Sequence, residues 1–178
     1  MDNQQKLNFN EKDNSMPIII HTAANIFQLP LNPTEAACIT TNGMAKPDGN
    51  AVMGKGIAKE VNDLYHVSAK LGTYIKLYGN RCFDLGLYPA IDPVYDRTDS
   101  ERMFHLISFP TKHNWRNNSD IGLIKESCIN LLRICDARGI LKCYLPAIGC
   151  GCGGLDFQRQ VLPVVSEILD SRFLFCIR

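Results

Sequence analysis

The chain alternates short apolar runs with segments whose apolar residues recur at helical spacing. Six runs predict β-strands, and most are bounded by Gly, Pro or Asn: residues 16–20, 35–41, 80–88, 102–109, 140–145 and 173–177. We expect the first and last of these strands to be buried, because their apolar residues are not interrupted by polar ones. The first strand is expected to end near Asn25.

The clearest helix follows residue 119. Its apolar residues recur three, four and seven positions apart: Ile121, Ile124, Cys128, Leu131, Leu132 and Cys135. We expect Ser119 to be the N-cap of this helix and Gly139 to end it. Further helices are predicted to begin near Lys55, around residues 71–78 and after Asp156.

Strands that alternate with helices predict an α/β domain with helices on both faces of one sheet. In such a domain, ligands bind at the carboxyl ends of the strands. The chain has 178 residues, about the length of one domain. Residues 1–15 are polar throughout and lack the apolar core of a secretory signal, so we expect a mobile tail followed by a single domain at residues 16–178. The polar stretch around residues 92–99 predicts a hairpin or surface loop.

The composition excludes some functional classes. Hydrophobic residues make up 46% of the chain, and no apolar run approaches the roughly 18 residues of a membrane span, so we expect no membrane insertion. The net charge of +1 does not provide a general basic surface, so any contact with DNA must be local. Five of the eight cysteines lie in apolar-patterned segments, which favours free buried thiols and a cytoplasmic location: Cys38, Cys128, Cys135, Cys143 and Cys176.

Two glycine-rich loops are the main candidates for chemistry. Residues 145–155 (LPAIGCGCGGL) place four glycines between positions 149 and 154, and residues 48–58 (DGNAVMGKGIA) form a similar loop. Glycine permits positive φ angles, so several backbone amides can converge on an anion, and each loop opens a helix whose free amides add to this. A single loop of this kind can equally be a plain strand-to-helix connection. Two loops in one small domain favour one shared ligand, such as a diphosphate.

Four motifs together resemble the macrodomain family: residues 40–43 (TTNG), 51–58 (AVMGKGIA), 108–116 (SFPTKHNWR) and 146–156 (PAIGCGCGGLD). The resemblance is greatest to the branch that contains the DNA ADP-ribosyl glycohydrolase antitoxins and the terminal ADP-ribose glycohydrolases. Members of that branch cleave ADP-ribose from thymidine bases or from acidic side chains. The resemblance implies a three-layer α/β/α macrodomain with a mixed central sheet.

The resemblance also implies a binding site in which the two loops clamp the diphosphate and distal ribose of ADP-ribose. Asn25 matches an aspartate that accepts a hydrogen bond from the adenine amine, and its amide oxygen can accept without charge assistance. Asn42 matches an asparagine near the distal ribose, although an Asn-Gly turn explains it as well. The implied ligand-binding residues are Asn25, Ile26, Asn42, Val52, Met53, Gly54, Lys55, Gly56, Ile57, Pro110, Thr111, Ile148, Gly149, Cys150, Gly151, Cys152, Gly153, Gly154 and Leu155.

Three residues are implied in catalysis: Lys112, His113 and Asn42. Lys112 matches the lysine on which hydrolysis depends in this branch, and an uncharged amine beside the ribose can act as nucleophile or base at the anomeric carbon. His113 can carry a proton, or it can be a packing residue. Trp115 and Arg116 can stack on or pair with the modified group, or Trp115 can anchor its loop.

Gly153 departs from one half of this branch. Terminal glycohydrolases that act on acidic side chains carry an aspartate at that place, whereas the antitoxins carry glycine. Asp156 follows three residues later, where an N-cap is the simpler interpretation. The pattern therefore favours the antitoxin type of chemistry, without a second carboxylate.

The sequence predicts an enzyme that removes ADP-ribose hydrolytically from a DNA base or a protein carboxylate, as a monomer and without a cofactor or metal. Two alternatives keep the same ligand: a reader that binds ADP-ribose without cleaving it, and a phosphatase acting on ADP-ribose phosphate. A third is a zinc site formed by Cys150, Cys152 and His113, although a second pair of ligands is missing.

Overall fold

The computed structural model describes residues 15–30 and 32–177. The predicted polar tail, apart from Ser15, lies outside these residues, as does Arg178. The described chain contains, in order, β1 (Ile18–His21), β2 (Glu35–Asn42), α1 (Gly56–Tyr65), α2 (Ser68–Tyr78), β3 (Phe83–Ile91), β4 (Thr98–Lys112), α3 (Ile121–Arg138), β5 (Lys142–Pro146), α4 (Leu162–Ser166) and β6 (Phe173–Ile177).

The strands form one sheet in the order β1-β6-β5-β2-β4-β3. All neighbours are parallel except β3 and β4, which pair antiparallel as a hairpin around the polar stretch that the sequence marks. The predicted mixed sheet is therefore confirmed. Because β2, β4 and β5 run parallel at its centre, their last residues, Asn42, Lys112 and Pro146, lie along the same edge, with Asn42 in register with Lys112.

Helices cover both faces of the sheet, so the three-layer architecture is confirmed. On one face, buried residues of α3 and α4, including Leu131 and Val165, pack with the sheet; we call this cluster the α3–α4 core. On the other face, buried residues of α1 and α2, including Val61 and Leu71, form the α1–α2 core. Apolar burial on both faces explains why the central strands read as near-continuous hydrophobic runs.

Two details differ from the sequence prediction. β1 is an edge strand bonded to β6 alone, it ends at His21 rather than near Asn25, and Ile18 is 45% exposed, so the expected burial of this strand was wrong. The N-cap of α3 is Asp120, not Ser119, because the Asp120 carboxylate accepts from the amides of Gly122 and Leu123 at 2.8 and 3.1 Å. Gly139 ends α3 with a left-handed backbone, as predicted.

The eight cysteines are all free thiols, and the five predicted to be buried are buried. Burial raises the pKa of the Cys128 thiol to about 12, as expected for a thiol without an ionic partner. None of the helices in the described part of the chain combines the length and apolarity that a membrane span requires.

Candidate active site

A cleft of about 400 Å³ opens at the carboxyl edge of the sheet, between the two glycine-rich loops. Eleven of the implied ligand-binding and catalytic residues line it: Asn42, Val52, Met53, Gly54, Lys55, Thr111, Lys112, Gly149, Cys150, Cys152 and Gly153. The other ten lie outside its lining: Asn25, Ile26, Gly56, Ile57, Pro110, His113, Ile148, Gly151, Gly154 and Leu155. The cleft is therefore built mainly from the loops and the end of β4.

The first loop is closed by Asn42 at the end of β2. Its amide nitrogen donates to the Val52 carbonyl at 2.9 Å, and its side-chain oxygen accepts from the Met44 amide at 3.0 Å. The side chain thus joins the two ends of the loop while it also lines the cleft. The Asn-Gly turn anticipated as an alternative is wrong: Asn42 is the last residue of β2, and the Gly43 amide donates to the His113 carbonyl at 3.1 Å.

The second support of the first loop is helix α2. The Ala51 amide donates to the Ser68 carbonyl at 2.8 Å. Gly72 on α2 lies so close to the loop that a Cβ there would stand 2.0 Å from the Gly49 carbonyl oxygen. Backbone packs directly on backbone at this contact, which fixes the height of the loop above the sheet.

The last amides of the first loop, where it leads into α1, are unused. In residues 15–30 and 32–177, no hydrogen bond takes up the backbone N–H groups of residues 53–57, and Lys55, the N-cap of α1, provides no side-chain cap. Open amides at a helix N-terminus, together with the positive end of its dipole, are suited to bind an anion.

The second loop uses part of its amides internally. The N–H groups of Cys150, Gly153, Gly154 and Leu155 donate to carbonyls within the loop at 3.0 to 3.3 Å. The amides of Gly149, Gly151 and Cys152 have no such acceptor in the described chain. Three glycines here have φ between 57° and 77°, which residues with a side chain rarely adopt. The anion-binding capacity expected from residues 149–154 is thus concentrated in three of its amides.

Lys112 stands at the floor of the cleft with 9% of its surface exposed. Its ammonium donates to the Asn117 carbonyl at 2.9 Å and to the Cys152 carbonyl at 2.8 Å. No carboxylate pairs with it among the residues that the structure describes. The amine is therefore desolvated, held by neutral groups and attached to the second loop.

His113 and Asn25 lie away from the cleft. The His113 side chain is 65% exposed, and its Nε2 is 3.8 Å from the Asp120 carboxylate. Asn25 caps a short 3₁₀ turn, where its side-chain oxygen accepts from the Phe27 amide at 3.0 Å and its amide nitrogen donates to Glu60. The Asn25 oxygen that would accept from an adenine amine is thus already partly used.

Trp115 lies at the mouth of the cleft. It is 49% exposed, and the Arg116 guanidinium stacks 4.8 Å from the centre of its ring. Cys150 is half-buried, burial raises the pKa of its thiol, and Cys152 is exposed. Cys150, Cys152 and His113 do not form a metal site, since no group of three or more His, Cys, Asp or Glu in the described ranges is placed to hold an ion.

Comparison with known proteins identifies the fold. Residues 95–162 match the family model of the Macro domain. Solved structures agree with the fold: Thermosipho africanus DarTG in complex with ADP-ribose superposes with a TM-score of 0.66 over 90% of this chain and 42% of that chain, at 22% identity. The macrodomain of Thermus aquaticus DarG gives 0.61 over 92% of this chain and 99% of that chain, at 24% identity. This chain has the macrodomain fold.

Its curated relatives are longer proteins. A DNA ADP-ribosyl glycohydrolase from Mycobacterium tuberculosis is 31% identical over 133 residues, which is 75% of this chain and 34% of the relative. A protein of the same name from Thermus aquaticus is 29% identical over 144 residues, or 78% of this chain and 35% of the relative. The macrodomain thus spans about a third of the length of the curated relatives that it matches.

Sequence reasoning missed several lining residues of the macrodomain cleft. Four of them lie within the motifs at residues 40–43 and 146–156, at the ends of β2 and β5, where the common edge of parallel strands would have indicated them: Thr40, Thr41, Pro146 and Ala147. Ser119 carried no such signal, because its position before a helix suggested a cap. Ala58 completes the lining together with Trp115, which the sequence had already marked as able to stack on the modified group.

Proposed function

We propose that this macrodomain binds ADP-ribose in the cleft and removes it hydrolytically from a modified substrate. The observation that carries the proposal is the position of Lys112, a buried amine without a carboxylate partner on the floor of a cleft whose walls present open amides. The amides are suited to a diphosphate, and a lysine at that depth reaches the sugar attached to it.

The proposed chemistry uses Lys112 at the anomeric carbon of the distal ribose. The Lys112 ammonium first gives up a proton to water. The neutral amine then attacks that carbon, the glycosidic bond to the substrate breaks, and the leaving group takes up a proton from water. Water then releases ADP-ribose and restores the amine. In the free protein both Asn117 and Cys152 accept hydrogen bonds from Nζ, so the amine has to turn toward the ligand before it reacts.

A DNA base is the substrate that we favour over a protein carboxylate. Gly153 provides no second carboxylate in the second loop, and the relatives that match are named DNA ADP-ribosyl glycohydrolases. Trp115 and Arg116 at the mouth of the cleft offer a stacking surface and a positive charge to a base and its phosphate. Contact with DNA is thus confined to the rim of the site.

A non-catalytic reader is the second candidate. It is favoured by the two carbonyls that hold the Lys112 ammonium, since an amine that stays there only joins the two loops. A reader and a hydrolase share the cleft and differ in whether Lys112 is released.

The test offers the purified protein ADP-ribosylated single-stranded DNA, ADP-ribosylated protein and ADP-ribose phosphate in parallel, and follows released ADP-ribose and phosphate. We expect ADP-ribose to be released from the DNA substrate. Binding of ADP-ribose without release from any substrate would establish the reader, and release of phosphate alone the phosphatase. Absence of ADP-ribose binding at near-millimolar concentration would overturn the proposal altogether.

A further inference from the structure

The hydroxyl group of Ser119 is buried and has no hydrogen-bond partner. Among the described residues three such side-chain atoms occur: Ser119 Oγ, Ser166 Oγ and Arg102 Nε. Buried polar groups in folded proteins are almost always hydrogen-bonded, so each exception requires a reason. Of the three residues, Ser119 is the one that lines the cleft.

Ser119 lies against two glycines of the second loop. Its backbone amide donates to the Gly153 carbonyl at 2.8 Å. A Cβ at Gly153 would stand 2.2 Å from Ser119 Oγ, and one at Gly149 would stand 3.6 Å from Ser119 Cβ. The serine hydroxyl therefore takes the space that a side chain at position 153 would need. Ser119 Oγ thus places a polar atom beside Gly153, which has no side chain of its own.

Lys112 contacts the neighbouring residue of the loop. Its ammonium is bonded to the Cys152 carbonyl, which belongs to the peptide that joins Cys152 to Gly153. Ser119 and Lys112 thus hold adjacent residues of the second loop, and both line the cleft. Rotation about the Cα–Cβ bond of Ser119 can turn its hydroxyl from Gly153 toward a ligand in the cleft.

We propose that Ser119 is a further ligand-binding residue, whose hydroxyl forms a hydrogen bond with the distal ribose of ADP-ribose next to Lys112. The inference rests on the ADP-ribose binding proposed above. It explains why an orphaned hydroxyl is kept at this position: the free protein leaves it unpaired, and the ligand supplies its partner.

The test compares Ser119→Ala with the parent in calorimetric titrations of ADP-ribose and of ADP, which has both phosphates but no distal ribose. We expect Ser119→Ala to weaken ADP-ribose binding about five- to tenfold, as loss of one neutral hydrogen bond does, and to leave ADP affinity unchanged. Retained ADP binding also demonstrates that the variant is folded.

Ser166→Ala is the matched control, because Ser166 carries the same kind of orphaned hydroxyl on α4, outside the cleft lining. It should bind both ligands as the parent does. If Ser119→Ala keeps the parental ratio of ADP-ribose to ADP affinity, the role of Ser119 is overturned while the proposed function stands. If the parent itself does not bind ADP-ribose, the proposed function fails and this inference with it.

Discussion

The nitrogen of Lys112 has a structural role besides the catalytic one that we propose. It satisfies the carbonyls of Asn117 and Cys152, which are 5 and 40 residues away in the chain. Removal of the side chain would leave two acceptors unsatisfied and loosen the second loop. Loss of activity in Lys112→Ala could therefore come from the missing amine or from the loosened loop. A variant is required that keeps hydrogen-bond donors for both carbonyls.

Lys112→Arg is that variant. The guanidinium can still donate to both carbonyls, but it remains protonated and cannot attack carbon. We expect turnover to fall at least a hundredfold, about 2.7 kcal/mol in activation free energy, while ADP-ribose affinity changes less than threefold. Single-turnover release of ADP-ribose and calorimetry measure the two quantities.

Lys59→Arg, on an exposed ion pair with Asp63, is the control and should behave as the parent. Parental turnover in Lys112→Arg would remove this lysine from the mechanism. Loss of binding in parallel with loss of turnover would assign it to the loop structure alone.

At the residue scale, sequence reasoning located Lys112 through its motif but misassigned Ser119. Ser and Asp are both favoured N-caps, so neighbouring Ser119 and Asp120 could not be ordered from local preference. The bond from the Ser119 amide to Gly153 holds Ser119 against the second loop and leaves the cap to Asp120. The N-cap is therefore determined by a contact between residues 34 positions apart, which the local sequence pattern cannot predict.

At the element scale, helix α2 determines where the first loop stands. Gly72 is buried on α2, and the nearest atoms to a Cβ added there are backbone atoms of Gly49, Asn50 and Ala51. Backbone atoms cannot turn aside as a long side chain can, so a methyl group at this position has to move the loop or the helix.

We expect Gly72→Ala to lower the free energy of unfolding by about 1–3 kcal/mol, as overpacking does, and to weaken ADP-ribose binding because the loop amides are displaced. Chemical denaturation and calorimetry measure the two effects. Thr73→Ala, on the exposed side of the same helix, should change neither. Parental affinity in a destabilised Gly72→Ala would show that α2 does not position the loop.

The elements themselves were predictable to different degrees. The central strands were predicted because burial on both faces produces a continuous apolar run. Helix α3 was predicted because burial of one face produces apolar residues at helical spacing. β1 was misjudged because its run of isoleucines resembles a central strand, whereas its place at the sheet edge follows from the strand order. Strand order depends on contacts between distant segments, and a single sequence does not record it.

For the whole molecule, ligand binding and stability are linked. ADP-ribose binds the native state alone if its site needs both loops in place, so it must raise the melting temperature. At a hundred times the dissociation constant the gain is about 2.7 kcal/mol, which for a chain of this size shifts the midpoint by roughly 5–10 °C. AMP, which lacks the distal ribose and a phosphate, should shift it less at equal concentration.

Thermal unfolding followed by circular dichroism, with and without each ligand, measures these shifts. Equal shifts by AMP and ADP-ribose would mean that the second loop and Lys112 do not contact the ligand. At this scale the sequence predicted the architecture and the edge of the sheet that carries the cleft. It did not predict which amides remain open, because that depends on turns within each loop.

The two walls of the cleft belong to different cores. Met53 and Ala51 of the first loop pack into the α1–α2 core, whereas Ile148 of the second loop belongs to the α3–α4 core. A bound molecule that contacts both walls therefore links the two cores through non-covalent contacts at the sheet edge. In its presence, the exchange of backbone amide protons with solvent should slow in both cores together.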